Sequence, residues 1–260
     1  MSISPSPLTD TESAPALPLA MAHRGLSAWA PENTLSAVRA AHASGARWIE
    51  LDVQLLGDGT PVIWHDSGVR RCSNGRGKLR DLNTERAKRL DVGSWFDATF
   101  RDERMATLDE MLELIEALEL GLNLEIKVNR GRDARALVGA VLPRVMEAVP
   151  AGRLILSSFS AIALETLRAR EPDPERLHLG ILYKKPALDW AESAARLNAY
   201  SLHIDWRRLD ARTALAMAAS PYKLLCYTVN DPRVFARLRT WGMDSAISDD
   251  PGRLFSTATP

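Results

Sequence analysis

The feature that most constrains this chain is a rhythm. Short apolar runs recur along it, and nearly all are followed by a longer segment of helical period. The strand-like runs are LPLAMAH (17–23), RWIELDV (47–53), LNLEIKV (122–128), RLILSSF (153–159), HLGILY (178–183), YSLHID (200–205), KLLCYTV (223–229) and SAISD (245–249). Helical patterns fill 34–44, 107–120, 132–148, 160–170, 187–197, 209–219 and 231–241. TLDEMLELIEALEL carries its own start signal, Thr107 as N-cap with Glu110 three residues on. Asp231-Pro232 starts another helix, with proline at its first position. Strands that alternate with helices form parallel βα units, because a parallel pairing needs a crossover. At 260 residues, a closed (β/α)8 TIM barrel of class α/β is the leading architecture and a doubly wound open sheet the second.

The rhythm breaks once. Between 54 and 106 a short extra strand, PVIWH (61–65), is followed by SNGRGKLRD and a segment with Trp95 and Phe96. This predicts an insertion after strand two, at about 66–106, and long βα insertions shape sites. Residues 1–16 are rich in Ser, Thr and Pro and read as a disordered tail ahead of one barrel domain over 17–260.

Charge excludes some partners. Lys plus Arg and Asp plus Glu are both 33, so bulk charge provides no footprint for nucleic acid or a membrane surface. No apolar run approaches the ~18 residues of a membrane span. The first residues lack a basic stretch ahead of an apolar core, so a cytoplasmic location is expected. Cys72 and Cys226 are too far apart in sequence to form a disulfide framework or metal finger, and Cys226 reads as a core residue. The expected partner is a small molecule; the oligomeric state is not legible.

Polar residues interrupt the strands where a barrel places chemistry. In IELDV, Glu50 and Asp52 are two apart and so face one side; in LEIKV, Glu125 and Lys127 do the same. Carboxylates inside a barrel are costly unless paired or metal-bound. Three of them at the mouth make an oxygen-rich site for a hard cation such as Mg2+ or Ca2+, although a salt bridge would explain any one alone. His23 ends the first strand and His65 ends the extra one. As a pair they supply a base and an acid for phosphate-ester cleavage. Arg24 and Lys127 supply positive charge for phosphate oxygens. His42, His178 and His203 read as structural. Pro31 and Asn33 stiffen and cap the return into the first helix, and Asn33 also comes near the site.

At this point the residues carry a resemblance. HRG and PENT, then the Glu-x-Asp of IELDV, then PVIWHD and LEIK, closely resemble the glycerophosphodiester phosphodiesterase family. LSSF (156–159), TVN (228–230) and GMDSAISDDP agree, so the resemblance runs in order from about residue 20 to 252. It implies a barrel with an insertion after strand two. It further implies one divalent cation, Mg2+, Ca2+ or Mn2+, on Glu50, Asp52 and Glu125. His23 and His65 would be the acid–base pair, and Arg24 and Lys127 the phosphate ligands. Asn33, Phe159 and Tyr227 are candidates for the substrate pocket. In several members strand seven reads Trp-Thr-Val-Asn; here Tyr227 is a smaller aromatic. The implied reaction converts glycerophosphodiesters to sn-glycerol 3-phosphate and an alcohol, with water or the glycerol 2-hydroxyl attacking. Three alternatives remain. A lysophospholipase D would seat an acyl chain on Trp95, Phe96 and Phe100; an aldolase would use Lys127 as a Schiff base; an inactive protein would bind a phosphate ester without turnover.

Overall fold

The computed structural model of the chain describes residues 14–255. Its core is a ring of eight parallel strands: β1 (Ala20–His23), β2 (Trp48–Leu55), β4 (Gly121–Ile126), β5 (Leu154–Ser158), β6 (His178–Tyr183), β7 (Ser201–Asp205), β8 (Lys223–Tyr227) and β9 (Ser245–Ser248). The ring closes because β1 pairs with both β9 and β2. The remaining strand, β3 (Pro61–Ile63), lies outside it, antiparallel to β2 with Val53 opposite Ile63. The helices are α1 (Leu35–Ala43), α2 (Thr84–Lys88), α3 (Leu108–Ala117), α4 (Ala134–Ala148), α5 (Ala161–Arg170), α6 (Trp190–Arg196), α7 (Ala211–Ala218) and α8 (Pro232–Thr240). The expected (β/α)8 barrel is therefore what forms, and the open-sheet alternative falls to the β1–β2 pairing.

Alternation along the strands sorts the side chains into two cores. Outward-facing Ala22, Ile49, Leu51 and Leu124 join the helices in the larger core. Inward-facing Met21, Trp48, Ile155, Leu225 and Ile247 form a smaller apolar plug within the ring. Trp48 lies against Gly121, its register partner, where an added Cβ would stand 2.2 Å from the indole Cε2. Glycine is required there for the indole to fit. Two residues beyond Gly121 and Ile155 the interior becomes polar, with Asn123 and Ser157 buried, and His203 on β7 is buried as well. The polar site lies toward the carboxyl ends of the strands, where barrel enzymes carry their chemistry.

The insertion has a core of its own. Leu56, Val62, Trp64, Val69, Leu79 and Met105 belong to a cluster separate from both barrel cores. The short helix α2 lies in this region; its five residues were too few for a helical period to be read. Cys72 is buried in this small core and Cys226 in the large one, both as free thiols.

Other boundaries shift for local reasons. The capping box at Thr107 forms as expected, and Pro232 stands in the first turn of α8. The cap of α1 is Thr34, whose hydroxyl accepts from the Ala37 amide, rather than Asn33. The expected tail lies outside the described residues up to 13; ahead of residue 17, Pro15 is buried and its carbonyl accepts from Tyr200 Oη at 2.7 Å. His203 has no exposed surface, and its Nε2 lies 2.8 Å from Ser201 Oγ. His178 packs edge to face on Tyr200. Both match the structural role expected of them.

Candidate active site

Strand register assembles the site. His23 on β1 is opposite Glu50 on β2, and Asp52 on β2 is opposite Glu125 on β4. The period of two then brings Glu50, Asp52 and Glu125 into one interior cluster, with ligand oxygens all within 4.8 Å of one another. The chain reaches Lys127 two residues past Glu125. Its Nζ is 3.0 Å from Glu125 Oε1 and 3.1 Å from Asp52 Oδ1. Arg24 turns back over the cluster with Nε 3.4 Å from Asp52 Oδ2, while its Nη1 donates to Glu32 at 2.6 Å.

Burial and charge divide the three acids. Burial raises the Glu50 carboxyl well above its usual range, and repulsion from Asp52 and Glu125 adds to this. Burial and the Asp52 charge push Glu125 up to about 7. Burial opposes ionisation of Asp52 too, but Lys127 and Arg24 outweigh it and hold that carboxyl below the normal range. The cluster therefore holds a proton on the glutamates near neutrality: it is short of positive charge. Three buried carboxylates within reach of one point, all hard oxygen donors, fit a divalent cation of the Mg2+ or Ca2+ kind.

Each histidine is fixed by a carboxylate. His23 Nδ1 is 2.6 Å from Asp249 Oδ1, which leaves Nε2 toward the acids, 3.8 Å from Glu50 Oε2. Asp249 also accepts from Ser27 Oγ and Asn230 Nδ2; burial works against its charge, but the His23 ring first, and then these two donors, bring it down to about 2. His65 Nδ1 is 2.7 Å from Asp66 Oδ1. Arg71 braces Asp66 through Nε and grips Glu32, so a chain of ion pairs runs from Arg24 through Glu32 and Arg71 to His65. Burial lowers the His65 imidazole below its ordinary value, against the pull of Asp52. A carboxylate at Nδ1 sets the tautomer and leaves Nε2 as the working nitrogen.

The backbone around His65 has its own clamp. Gln54 Nε2 lies within hydrogen-bonding distance of the carbonyls of Trp64, His65 and Asp66 at 2.8 to 3.1 Å, and its Oε1 accepts from Asn129 Nδ2. Asp66, Asp249, Gln54 and Glu32 were not singled out from sequence. Asp66, Asp249 and Glu32 stand inside quoted motifs, in PVIWHD, GMDSAISDDP and PENT, but a place in a motif assigns no role.

A cavity of about 870 Å³ opens above the cluster. His23, Arg24, His65, Lys127, Phe159 and Tyr227 are among its walls, with Glu50 and Glu125 reaching it. Tyr227 donates to the Tyr183 carbonyl at 2.9 Å and stands edge to face with Phe159. Asn33, expected in the pocket, lies instead behind the carboxylates. It adopts a φ of +59°, donates to Asp52 Oδ2 at 2.9 Å and accepts from the Asp52 amide, so a left-handed residue locks an acid in place. Asparagine tolerates that conformation better than most residues.

Two expected alternatives lose their footing in this geometry. Trp95, Phe96 and Phe100 stack edge to face on one another, and none lines the cavity. Lys127, although burial works against its charge, is held as an ammonium by Asp52 and Glu125, which is the wrong state for a Schiff-base nucleophile.

The chain is similar to known proteins over most of its length. The profile of the glycerophosphoryl diester phosphodiesterase family matches residues 23–253. A glycerophosphodiester phosphodiesterase of Caldanaerobacter subterraneus is 34% identical over 92% of this chain and 96% of its own. An Oleispira antarctica phosphodiesterase, solved with the product sn-glycerol-3-phosphate, superposes with a TM-score of 0.87 at 34% identity, covering 92% of this chain and 95% of that one. The glycerophosphodiester phosphodiesterase of Thermotoga maritima gives 0.71 at 27% identity, covering 91% and 96%. No helix among the described residues is long and apolar enough to cross a membrane.

Proposed function

The chain belongs to the glycerophosphoryl diester phosphodiesterase family, and from that premise we propose that it hydrolyses glycerophosphodiesters to sn-glycerol 3-phosphate and a free alcohol. The observation that carries the reading is the pairing of two carboxylate-oriented imidazoles with three clustered acids and two cations around one cavity.

Glu50, Asp52 and Glu125 would hold the divalent cation, which when bound supplies Lewis-acid stabilisation of negative charge on the phosphate. Arg24 offers a planar fork and Lys127 a point charge to phosphate oxygens, and both already face the cavity. His23 and His65 handle the protons at Nε2: one takes the proton of the attacking hydroxyl, and the other delivers one to the departing alcohol oxygen as the P–O bond breaks. Asp249 and Asp66 hold the two rings in the required tautomer and stabilise each imidazolium as it forms. Phe159 and Tyr227 give the alcohol an apolar wall.

The test is release of glycerol 3-phosphate from glycerophosphocholine, with EDTA and after restoring Mg2+, Ca2+ or Mn2+. Release that EDTA abolishes and a cation restores supports the reaction and the three-carboxylate site together. No release from any glycerophosphodiester with any of these ions would overturn the reading.

A further inference from the structure

The reacting groups occupy only half of the barrel mouth. In the ring order β1, β9, β8, β7, β6, β5, β4, β2, the strands diametrically opposite β1 and β2 are β6 and β7. From the ends of those two strands Lys184, Lys185, Arg207 and Arg208 enter the same cavity. The acid that lines the cavity from these two strands is Asp205, and Arg207 neutralises it with two bonds, Nε to Oδ1 at 2.9 Å and Nη2 to Oδ2 at 2.8 Å. Lys184, Lys185 and Arg208 have no carboxylate within ion-pair distance among the described residues. Elsewhere around the mouth the cations are matched: Arg24 by Glu32 and Asp52, Arg71 by Glu32 and Asp66, Lys127 by Asp52 and Glu125.

Phe159 connects the two halves. The residue is 41% exposed, with Lys127 Nζ at 5.9 Å from the ring centroid and Lys184 Nζ at 6.0 Å. With the phosphate at Lys127, an alcohol placed across Phe159 would approach Lys184 and, in the same cavity, Lys185 and Arg208. A positively charged alcohol such as choline meets repulsion there; an alcohol bearing its own negative charge meets complementarity.

We propose that Lys184, Lys185 and Arg208 form a leaving-group subsite selecting glycerophosphodiesters whose alcohol carries an anionic group, a phosphate monoester or a carboxylate. The inference rests on the phosphodiesterase reading and adds the substrate class to it. Exposed charges contribute modestly one at a time, so the selectivity comes from the three together.

The experiment measures kcat/KM in one metal buffer for glycerophosphoglycerol, its terminally phosphorylated derivative, the corresponding diester of glyceric acid, and glycerophosphocholine. Either anionic diester should exceed glycerophosphoglycerol, and glycerophosphocholine should rank last. In the K184A/K185A/R208A variant the anionic-to-neutral ratio should fall about tenfold, and raising ionic strength should shrink it in the unaltered protein. Preference for the phosphorylated diester alone, or for the carboxylate alone, supports the subsite and identifies its anion. Equal rates on all four, or a ratio unchanged in the variant, overturns it. Should no diester be cleaved, the function reading fails, and the same ratio is then taken from calorimetric binding of these four compounds to both proteins. Equal binding there overturns the subsite as well.

Discussion

Metal binding at the three carboxylates should be strongly pH dependent, and the structure sets the size. A protonated carboxyl is a poor ligand, so binding must expel any proton the cluster holds. Glu125 sits at about 7 rather than the usual 4.5, and Glu50 is also raised. The sign follows: below pH 7 the ion competes with a proton, above it the ligand is ready, so affinity rises as pH rises through the folded-state value. At pH 5.5 a single group titrating near 7 is about 97% protonated, which weakens binding by about 30-fold relative to pH 8, roughly 2 kcal/mol. The raised Glu50 carboxyl acts in the same direction. Titration calorimetry with Mg2+ or Ca2+ at pH 5.5 and pH 8 gives the affinity ratio. Repeating each titration in buffers of different ionisation enthalpy counts the protons released. Binding equal at both pH values, with no proton release at pH 5.5, would refute the electrostatic account of the cluster.

His23→Ala and His65→Ala should each lower kcat by about 10²–10⁴ while leaving calorimetric metal affinity near that of the parent, and Asp249→Asn should lose activity in the same direction because the imidazole loses its carboxylate partner; near-normal rates in both alanine variants would remove the acid–base assignment. Gly121→Ala places a methyl 2.2 Å from the Trp48 ring, so overpacking should cost about 1–3 kcal/mol and lower Tm by roughly 3–10 °C, measured by thermal denaturation; an unchanged Tm would show that Trp48 repacks freely.

The sequence carried the barrel and the central acids because both are periodic. Eight apolar runs separated by helices have few other solutions, and the spacing of Glu50 with Asp52, and of Glu125 with Lys127, places each pair on one face of a strand. The site's supports are not periodic. Asp249 reaches His23 across 226 residues of chain, a closure that only the β1–β9 pairing produces. Gln54 is a polar residue in a strand, with no sequence sign that it holds three consecutive carbonyls of the His65 loop. Asn33 shows the limit from the other side. Its residue type fits a helix cap, and Thr34 next to it fits equally; what separates them is a positive φ and the proximity of Asp52, both products of the fold.

The division of the two histidines between different cores has a consequence for dynamics. His23 belongs to the ring, whose strands open only with the whole barrel. His65 lies just beyond β3 in a segment with a separate and smaller cluster, tied to the ring by the β2–β3 pairing, by the Trp64 amide on the Asp52 carbonyl, by Gln54 and Asn129, and by the Arg71–Glu32 ion pair. A segment with its own small core is the kind of unit expected to open at lower free energy than the ring. Its opening would withdraw one proton-transfer group and leave the three acids in place, giving a metal-loaded protein that is catalytically silent, with amide exchange fast through the insertion and slow in the ring.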